Sequence, residues 1–222
     1  MIHSSLHSFL KSTRPFQTLS DADVEKLISF IQEKFFERGD NIYNEGDEAD
    51  SIWLVYSGRI QIFKSTVGLK SFAVESLGPR ELFGTFCRLG QFQKKYPCTA
   101  TAATTSVVLR LSDKIFQQYC SAQALAMQDL CSLCSDRLKT IQEMRCLGQA
   151  PAEARLASIL VKLHQTYGET LPFTKKEISE LAGLTIETTF RISTVFQKKR
   201  WIFSRRGQIQ ILQVQSLQSL FE

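Results

Sequence analysis

The sequence predicts an α+β protein with an N-terminal antiparallel β-sandwich or barrel, a long helix, and a C-terminal helix-turn-helix followed by a β-hairpin. Three patterns support this prediction. Short apolar segments alternate with turn residues as far as residue 112, residues 113–147 contain no Gly or Pro, and residues 174–212 combine helix-capping, glycine-turn and strand patterns. We therefore expect a β domain over residues 1–112, a helix over 113–147 and a separate unit over 148–222.

The composition of the 222 residues is that of an ordinary globular protein, with 43% hydrophobic and 22% charged residues. No apolar run is long enough to span a membrane, and the first residues lack the basic start and apolar core of a signal peptide. We therefore expect a cytoplasmic protein whose cysteines stay reduced. We expect buried structural thiols rather than metal or redox sites, although Cys131 and Cys134 have C-x-x-C spacing. The other cysteines are Cys87, Cys98, Cys120 and Cys146.

Positive charge is concentrated in the C-terminal third of the chain. Residues 1–150 carry 17 basic and 16 acidic side chains, whereas residues 151–222 carry 10 basic and 6 acidic ones. The basic residues are densest between Arg191 and Arg206. Such a cluster indicates a surface that attracts phosphate, with an ordinary solvated surface as the alternative.

The N-terminal region begins with a short helix and continues with strands separated by turns. Residues 19–30 have amphipathic spacing, and Ser20 is a suitable N-cap with acidic residues in the first turn. Strand-like segments follow, of which Ser51–Tyr56 and the Thr- and Val-rich Thr99–Leu111 are the clearest. Glycine turns between such short strands indicate an antiparallel sandwich or barrel.

Residues 113–147 carry a repeat that is typical of a two-stranded coiled coil. Its members recur with alternating spacings of three and four, at Met127, Leu130, Cys134, Arg137, Ile141 and Met144. We expect this seam to join two copies of the chain. Arg137 interrupts the apolar seam, which indicates either that it fixes the register of the two helices or that the seam is shifted by one residue. A face packed against the protein's own β domain is the alternative to dimerisation. Gly148–Pro151 then ends the helix, and residues 152–167 form a further amphipathic helix.

Residues 174–196 have the pattern of two helices joined by a sharp corner. Thr174 and Glu177 form a capping box, Gly183 supplies a left-handed corner, and Thr185 is the N-cap of the second helix. The inner faces are expected to consist of Ile178, Leu181 and Ala182 in the first helix and Ile192, Val195 and Phe196 in the second. This arrangement is typical of a helix-turn-helix that lays its second helix in the major groove of DNA, and a generic helical hairpin is the alternative.

The outward side of the second helix carries side chains that can read base edges. They are Thr185, Ile186, Glu187, Thr188, Phe190 and Arg191. Arginine can bond guanine twice, glutamate can accept from cytosine, and threonine or phenylalanine can contact a thymine methyl. Glu187 and Arg191 could instead pair with each other on the helix surface. Residues 201–212 predict a basic β-hairpin, or wing. The basic residues expected to contact DNA are Lys175, Lys176, Arg200, Arg205 and Arg206.

Together these parts resemble the CRP/FNR family of bacterial transcription regulators over nearly the whole chain. Residues 39–60 look like the family's first β-roll repeats, Leu77–Gly84 looks like the turn before its effector pocket, and Thr185–Arg191 matches its recognition helix. The resemblance implies a β-roll sensor domain, a dimerisation helix and a winged helix-turn-helix domain that binds DNA. It also implies a homodimer on an inverted repeat in double-stranded DNA, with RNA polymerase as a further partner.

The resemblance also implies an effector pocket, at Gly84, Thr85, Tyr96, Pro97 and Thr99. Members that bind cyclic AMP carry a Glu after the pocket glycine and, on the next strand, an Arg that neutralises the phosphate. This sequence has Thr85 and Tyr96–Pro97 at those positions. Without the arginine a buried phosphate would lack a counter-charge, so classical control by cyclic AMP is not expected.

Two other cofactors of the family would need cysteine or histidine ligands from this chain. An N-terminal iron–sulfur cluster is not expected, because no cysteine precedes Cys87. A haem group stays open as an alternative without support. The histidines that could ligate it are His3, His7 and His164.

The same resemblance also predicts the DNA half-site. In the family, a bulky aliphatic residue before the recognition glutamate goes with TTGAT and an arginine there with TGTGA, so Ile186 favours TTGAT.

A second hypothesis for function is a β-roll effector sensor that acts through protein partners and has a degenerate DNA-binding domain. An enzyme is not expected, since the sequence contains no recognisable Ser/His/Asp, Cys/His or paired-carboxylate arrangement.

Overall fold

A computed structural model describes residues 2–65, 71–86 and 95–221 of the chain. The chain forms two compact units, Met1–Leu138 and Lys139–Glu222. Within the described ranges, no helix is both long enough and apolar enough to cross a membrane.

The first unit opens with two helices, α1 (Ile2–Lys11) and α2 (Asp21–Ile28). Helix α1 does not appear in the sequence prediction, although Leu6 and Leu10 lie on one side of it and are buried. Helix α2 begins as expected, because the Ser20 side chain accepts a hydrogen bond from the Asp23 amide.

In the described residues eight strands follow and form two antiparallel four-stranded sheets, with orders β1-β8-β3-β6 and β2-β7-β4-β5. The strands are β1 (Gln32–Phe36), β2 (Asn41–Tyr43), β3 (Ser51–Ser57), β4 (Ile60–Ser65), β5 (Ser71–Leu77), β6 (Leu82–Gly84), β7 (Thr99–Ala102) and β8 (Ser106–Ser112). All pairings within both sheets are antiparallel. The predicted antiparallel sandwich is therefore confirmed.

Among the described residues of this unit, two apolar cores stabilise the fold. One packs α1 and α2 against β3, β6 and β8, and also takes in apolar residues from the helices that follow the sheets. The other draws side chains from both sheets. Four aromatic residues of this second core lie close to one another: Tyr43, Trp53, Phe83 and Tyr96.

The segment after β8 is not the uninterrupted helix that the sequence predicts. A short α3 (Asp113–Phe116) runs into a π-type turn over Gln117–Ser121, and only then does α4 (Ala124–Leu147) begin. Cys120 and Ala126 are six residues apart, so on one regular helix their side chains would point in directions about 120° apart. The wide turn and the break after it let both side chains be fully buried in the same core.

The second unit is a helical domain with a small three-stranded sheet of order β10-β11-β9. Its elements are α5 (Ala152–Tyr167), β9 (Thr170–Leu171), α6 (Lys175–Ala182), α7 (Ile186–Lys198), β10 (Ile202–Arg205), β11 (Gln208–Ile211) and α8 (Val214–Gln218). Leu156 and Leu160 of α5, Ile192 and Phe196 of α7, and Ile209 of β11 are all buried. The predicted helices and the hairpin after them are confirmed.

Candidate nucleic-acid interface

Helix α6 begins at the predicted capping box. The Thr174 amide donates to Glu177 Oε2 at 2.7 Å, and the Glu177 amide donates to Thr174 Oγ1 at 3.2 Å. The helix ends at Gly183, whose φ of 60° is left-handed. The Leu184 amide then donates a hydrogen bond to the Ser179 carbonyl oxygen at 2.9 Å. These local bonds set the sharp corner between α6 and α7.

Helix α7 begins at Thr185, whose Oγ1 accepts from the Thr188 amide at 3.2 Å. Its buried residues are Thr189, Ile192, Ser193 and Phe196. They span an arc of about 100° on a regular helix, and Val195 lies about 110° from the centre of that arc. Val195 is accordingly exposed, so its predicted place on the inner face is wrong.

Glu187 and Arg191 lie on the side of α7 opposite the buried arc, and both are exposed. In the described part of the chain no ion pair joins them, so the alternative surface pair is not observed. Phe190 is 48% exposed, and the Lys175 ammonium lies 4.4 Å from the centre of its ring. This contact between α6 and α7 was not found from the sequence.

A hydrogen bond to a side chain of α7 joins the wing to that helix. The Ser204 amide of β10 donates to Gln197 Oε1 at 3.2 Å. At the wing tip Arg205 pairs in register with Gln208, and its Nε donates to Gln208 Oε1 at 2.7 Å. Arg206 is exposed at the same tip. The sequence prediction missed Gln197, because a bond between a helix and a hairpin leaves no periodic signal.

The remaining predicted DNA contacts lie at the ends of the two helices. Lys176 is exposed at the start of α6 and forms a 3.9 Å ion pair with Glu180 one turn later. Arg200 is exposed just after α7 and has a left-handed φ of 57°. Ile186 and Thr188 lie in the first turn of α7 and are exposed and half-buried, respectively.

The residues predicted to line an effector pocket lie in the β domain. Gly84 has a φ of 90°, and a Cβ there would lie 2.8 Å from the Ser51 carbonyl oxygen. Thr85 is buried, donates to the same carbonyl at 3.0 Å and also hydrogen-bonds the Asp113 carboxylate. Thr85 therefore joins β3 to the start of α3.

Tyr96 is packed inside the second core of the β domain. Its ring stacks on that of Tyr43, with centroids 3.7 Å apart and planes 10° apart. Its hydroxyl accepts from Trp53 Nε1 at 3.0 Å, and burial raises the pKa of this hydroxyl. Pro97 is exposed, and the Thr99 hydroxyl accepts from the Glu45 amide at 3.0 Å. The predicted pocket residues therefore contact other protein groups closely.

Four of the six predicted seam residues in α4 face the protein's own β domain. Leu130 is buried in the first core, and Met127 and Cys134 pack against that core. Arg137 Nε lies 3.2 Å from Glu75 Oε1, and Arg137 Nη2 donates to the Leu82 carbonyl at 2.5 Å. For these residues the structure matches the alternative of a face packed within the chain. The Arg137 guanidinium also lies over the Phe86 ring, 4.6 Å from its centre.

The last two predicted seam residues differ from the first four. Ile141 is 56% exposed, whereas the side chain of Met144 lies outside the described residues. Leu138, which is not in the predicted seam, is 57% exposed. The exposed apolar surface of α4 therefore includes Ile141 from the predicted seam and Leu138 from outside it.

The cysteines differ in exposure. Cys120 is buried and Cys98 and Cys134 are half-buried, but Cys131 is exposed, so the prediction of a buried thiol is wrong there. Cys87 and the side chain of Cys146 lie outside the described residues.

The histidines named for a haem group are placed as follows. His7 lies 3.7 Å from the Asp21 carboxylate, and His164 is half-buried in α5. The side chain of His3 lies outside the described residues. Neither described imidazole belongs to the β-domain residues predicted to hold an effector.

Two family models match the chain: a cyclic nucleotide-binding domain over residues 33–123, and a Crp-like helix-turn-helix domain over residues 154–220. The chain belongs to the CRP/FNR family. It is therefore a DNA-binding transcription regulator of the CRP/FNR type.

Known members of the CRP/FNR family align over most of the chain. The cyclic AMP receptor protein of Thermus thermophilus is 27% identical over 185 residues, which cover 82% of this chain and 85% of the relative. The fumarate and nitrate reduction regulatory protein of Vibrio cholerae is 27% identical over 230 residues, covering 99% and 90%. The structure of FixK2 from Bradyrhizobium japonicum matches with a TM-score of 0.76 at 18% identity, over 86% of this chain and 98% of that one. This last match supports the fold.

Proposed function

We propose that this regulator acts as a homodimer, reads an inverted repeat through α7, and is not controlled by cyclic AMP. The proposed recognition of bases rests on the positions of Glu187 and Arg191. Both are exposed, both lie opposite the buried side of α7, and no ion pair joins them in the described part of the chain. Arg191 is thus available for two hydrogen bonds to a guanine, and Glu187 for one from a cytosine.

Phosphate contacts flank the bases in this proposal. Lys175 and Lys176 lie in the first turn of α6, and Arg205 and Arg206 lie at the wing tip. Such contacts fix the position of a protein on the duplex without selecting its sequence. Arg200, exposed directly after α7, belongs to the same set.

The proposed dimer uses a face of α4 that keeps Cys134 and Ile141 of the predicted seam and replaces Leu130 and Arg137 by the residues that follow them. Cys131 and Leu138 are seven residues apart and exposed, and Cys134 and Ile141 are also seven apart. These four residues alternate in steps of three and four, as a two-stranded coiled coil requires. Two copies of α4 packed in parallel along this face would cover Leu138 and Ile141.

The packing around Tyr96 supports regulation without cyclic AMP. Tyr96 stacks on Tyr43 in the β-domain core, and the neighbouring Thr85 is hydrogen-bonded to protein groups. Neither residue supplies a positive charge for a phosphate. Burying that phosphate without a counter-charge would cost several kcal/mol. RNA polymerase is proposed as a partner on the family's regulatory role alone.

Two measurements test these proposals. In a competition assay at fixed salt, an inverted repeat of TTGAT should bind more tightly than one of TGTGA, because Ile186 replaces the arginine that goes with the second sequence. Salt-insensitive binding without preference for any duplex would instead favour a sensor that acts through protein partners. Calorimetry with cyclic AMP should show no binding in the micromolar range. Micromolar binding together with tighter DNA binding would overturn the proposal for the effector.

A further inference from the structure

Two cysteines lie one helical turn apart on the face of α4 that the proposed dimer covers. Cys131 is exposed and Cys134 is half-buried. On a regular helix these two residues and Leu138, which is 57% exposed, lie within an arc of about 60°. Cys134 also packs against the core of the β domain, whereas the thiol of Cys131 is presented to solvent. Both thiols therefore border the surface that a second copy of α4 would contact.

The carboxylates of α4 lie away from the two thiols. Gln128 and Ser135, one turn before and one turn after Cys131, are uncharged and exposed. Asp129 and Asp136 lie on the opposite side of the helix, where they contact the segment between α1 and α2. Among the described residues of this face, the groups that bind soft metal ions are therefore the two thiols.

A second copy of α4 doubles the number of thiols at this level of the helix. In a parallel two-stranded coiled coil Cys131 and Cys134 occupy neighbouring layers, so four sulfur atoms surround one stretch of the common axis. Layers three residues apart are separated by about 4.5 Å along the helix. In a tetrahedral four-thiolate site, where each sulfur is about 2.3 Å from the metal, the sulfurs are about 3.8 Å from one another. The two spacings are close enough for rotation of the cysteine side chains to bring them into agreement.

Given the proposed dimer, on which this step rests, we propose that Cys131 and Cys134 of two copies of the chain bind one Zn²⁺ ion in a tetrahedral four-thiolate site. Within the described residues of a single chain, no group of three or more His, Cys, Asp or Glu side chains is placed to hold a metal, so the site is incomplete without the partner copy. Four thiols release their protons to solvent as four Zn–S bonds form, and no electron is transferred. Because only the dimer supplies four ligands, Zn²⁺ stabilises the dimer over the monomer by mass action.

Substitution by cobalt tests the site in the full-length protein. Reduced, metal-free protein is titrated with Co²⁺, whose sulfur-to-metal charge-transfer bands and strong visible bands report tetrahedral thiolate coordination. These bands should grow until one ion is bound for every two chains. Zn²⁺ should then displace the cobalt and remove the bands, because zinc is the more tightly bound of the two metals.

Four variants locate the ligands. Cys131→Ser and Cys134→Ser should each lose the thiolate bands, because each removes two of the four sulfurs from the dimer. Leu138→Asp keeps both cysteines but places a charge in the dimer face, so it should separate the chains and lose the bands too. Cys98→Ser, the matched control, removes a half-buried thiol of the β domain and should titrate like the wild type. Circular dichroism shows whether each variant is folded.

Sedimentation of the metal-free and zinc-loaded protein separates this inference from the proposed dimer. A dimer that shows no thiolate bands with Co²⁺, or that keeps them in both serine variants, would overturn the inference and leave the dimer intact. The full bands in a monomeric Leu138→Asp protein would also overturn it, because one chain would then hold the ion. A wild-type chain that stays monomeric with and without Zn²⁺ would overturn the proposed dimer itself.

Discussion

At the scale of single residues, Arg191 and Arg205 are expected to contribute to binding in different ways. Arg191→Ala should cost about 1–3 kcal/mol and relax the preference at one guanine, because a two-bond contact to a base is lost. Arg205→Ala should weaken binding to all sequences alike and reduce the salt slope by about one, because it removes one phosphate contact. Titrations on matched and single-base-mutated duplexes at several salt concentrations measure both effects. Unchanged base preference in Arg191→Ala would show that α7 is wrongly placed in the groove.

Cys120 is expected to be the least reactive thiol of the described cysteines. Its side chain is fully buried, and burial raises its pKa to about 12. At about pH 8.5 an ordinary thiol is half ionised and reacts with iodoacetamide, whereas Cys120 should stay protonated and unlabelled. Peptide mass spectrometry after labelling, with and without denaturant, gives the measurement. Rapid labelling of Cys120 in the native protein would contradict its place in the core.

Residue roles that depend on local chemistry could be predicted from the sequence, and roles that depend on packing could not. The caps at Ser20, Thr174 and Thr185 follow from hydrogen bonds within one helical turn, and all three were predicted. The contact between Lys175 and Phe190 depends on how α6 packs on α7. No spacing in the sequence encodes it.

At the scale of elements, α4 shows why periodicity alone leaves a choice open. Apolar side chains follow the three-and-four repeat in two adjacent phases, one through Leu130 and one through Leu138. The structure places Leu130 in the core of the β domain, with Met127 and Cys134 packed against it, and leaves Leu138 and Ile141 exposed. A sequence pattern cannot tell which phase faces its own chain. The break before α4 was missed for a related reason, since a wide turn needs no Gly or Pro.

The two phases of α4 give opposite expectations for two substitutions. Leu138→Asp should dissociate the dimer, because it places a charge in the exposed apolar face that the proposed dimer covers. Leu130→Ala should destabilise the fold by about 2–5 kcal/mol through a cavity, while the folded protein stays dimeric. Sedimentation measures the assembly, and urea unfolding measures the stability. If Leu130→Ala dissociates a still-folded dimer and Leu138→Asp does not, the seam lies on the phase first predicted.

At the scale of the whole molecule, the order of parts was predictable because each part has its own periodicity. Short strands with glycine turns, a stretch without helix breakers and a capped helical pair follow one another in the sequence. The packing of the predicted effector-pocket residues could not be predicted in the same way. It depends on Tyr43 and Tyr96, which are far apart in the sequence and stack only in the folded β domain.

The proposed dimer also sets the spacing of the DNA site. Two recognition helices related by a two-fold axis enter successive major grooves on one side of the duplex, about 34 Å apart. An insertion of about five base pairs between the half-sites turns one of them by half a helical turn, to the opposite side of the duplex. Affinity should then fall to that of a duplex with a single half-site, because only one α7 can still reach its bases. Gel-shift titrations on the original, lengthened and single-half-site duplexes provide the comparison. A protein that bound each half-site as an independent monomer would tolerate the insertion, and equal affinity for the original and lengthened duplexes would therefore rule out the two-fold arrangement.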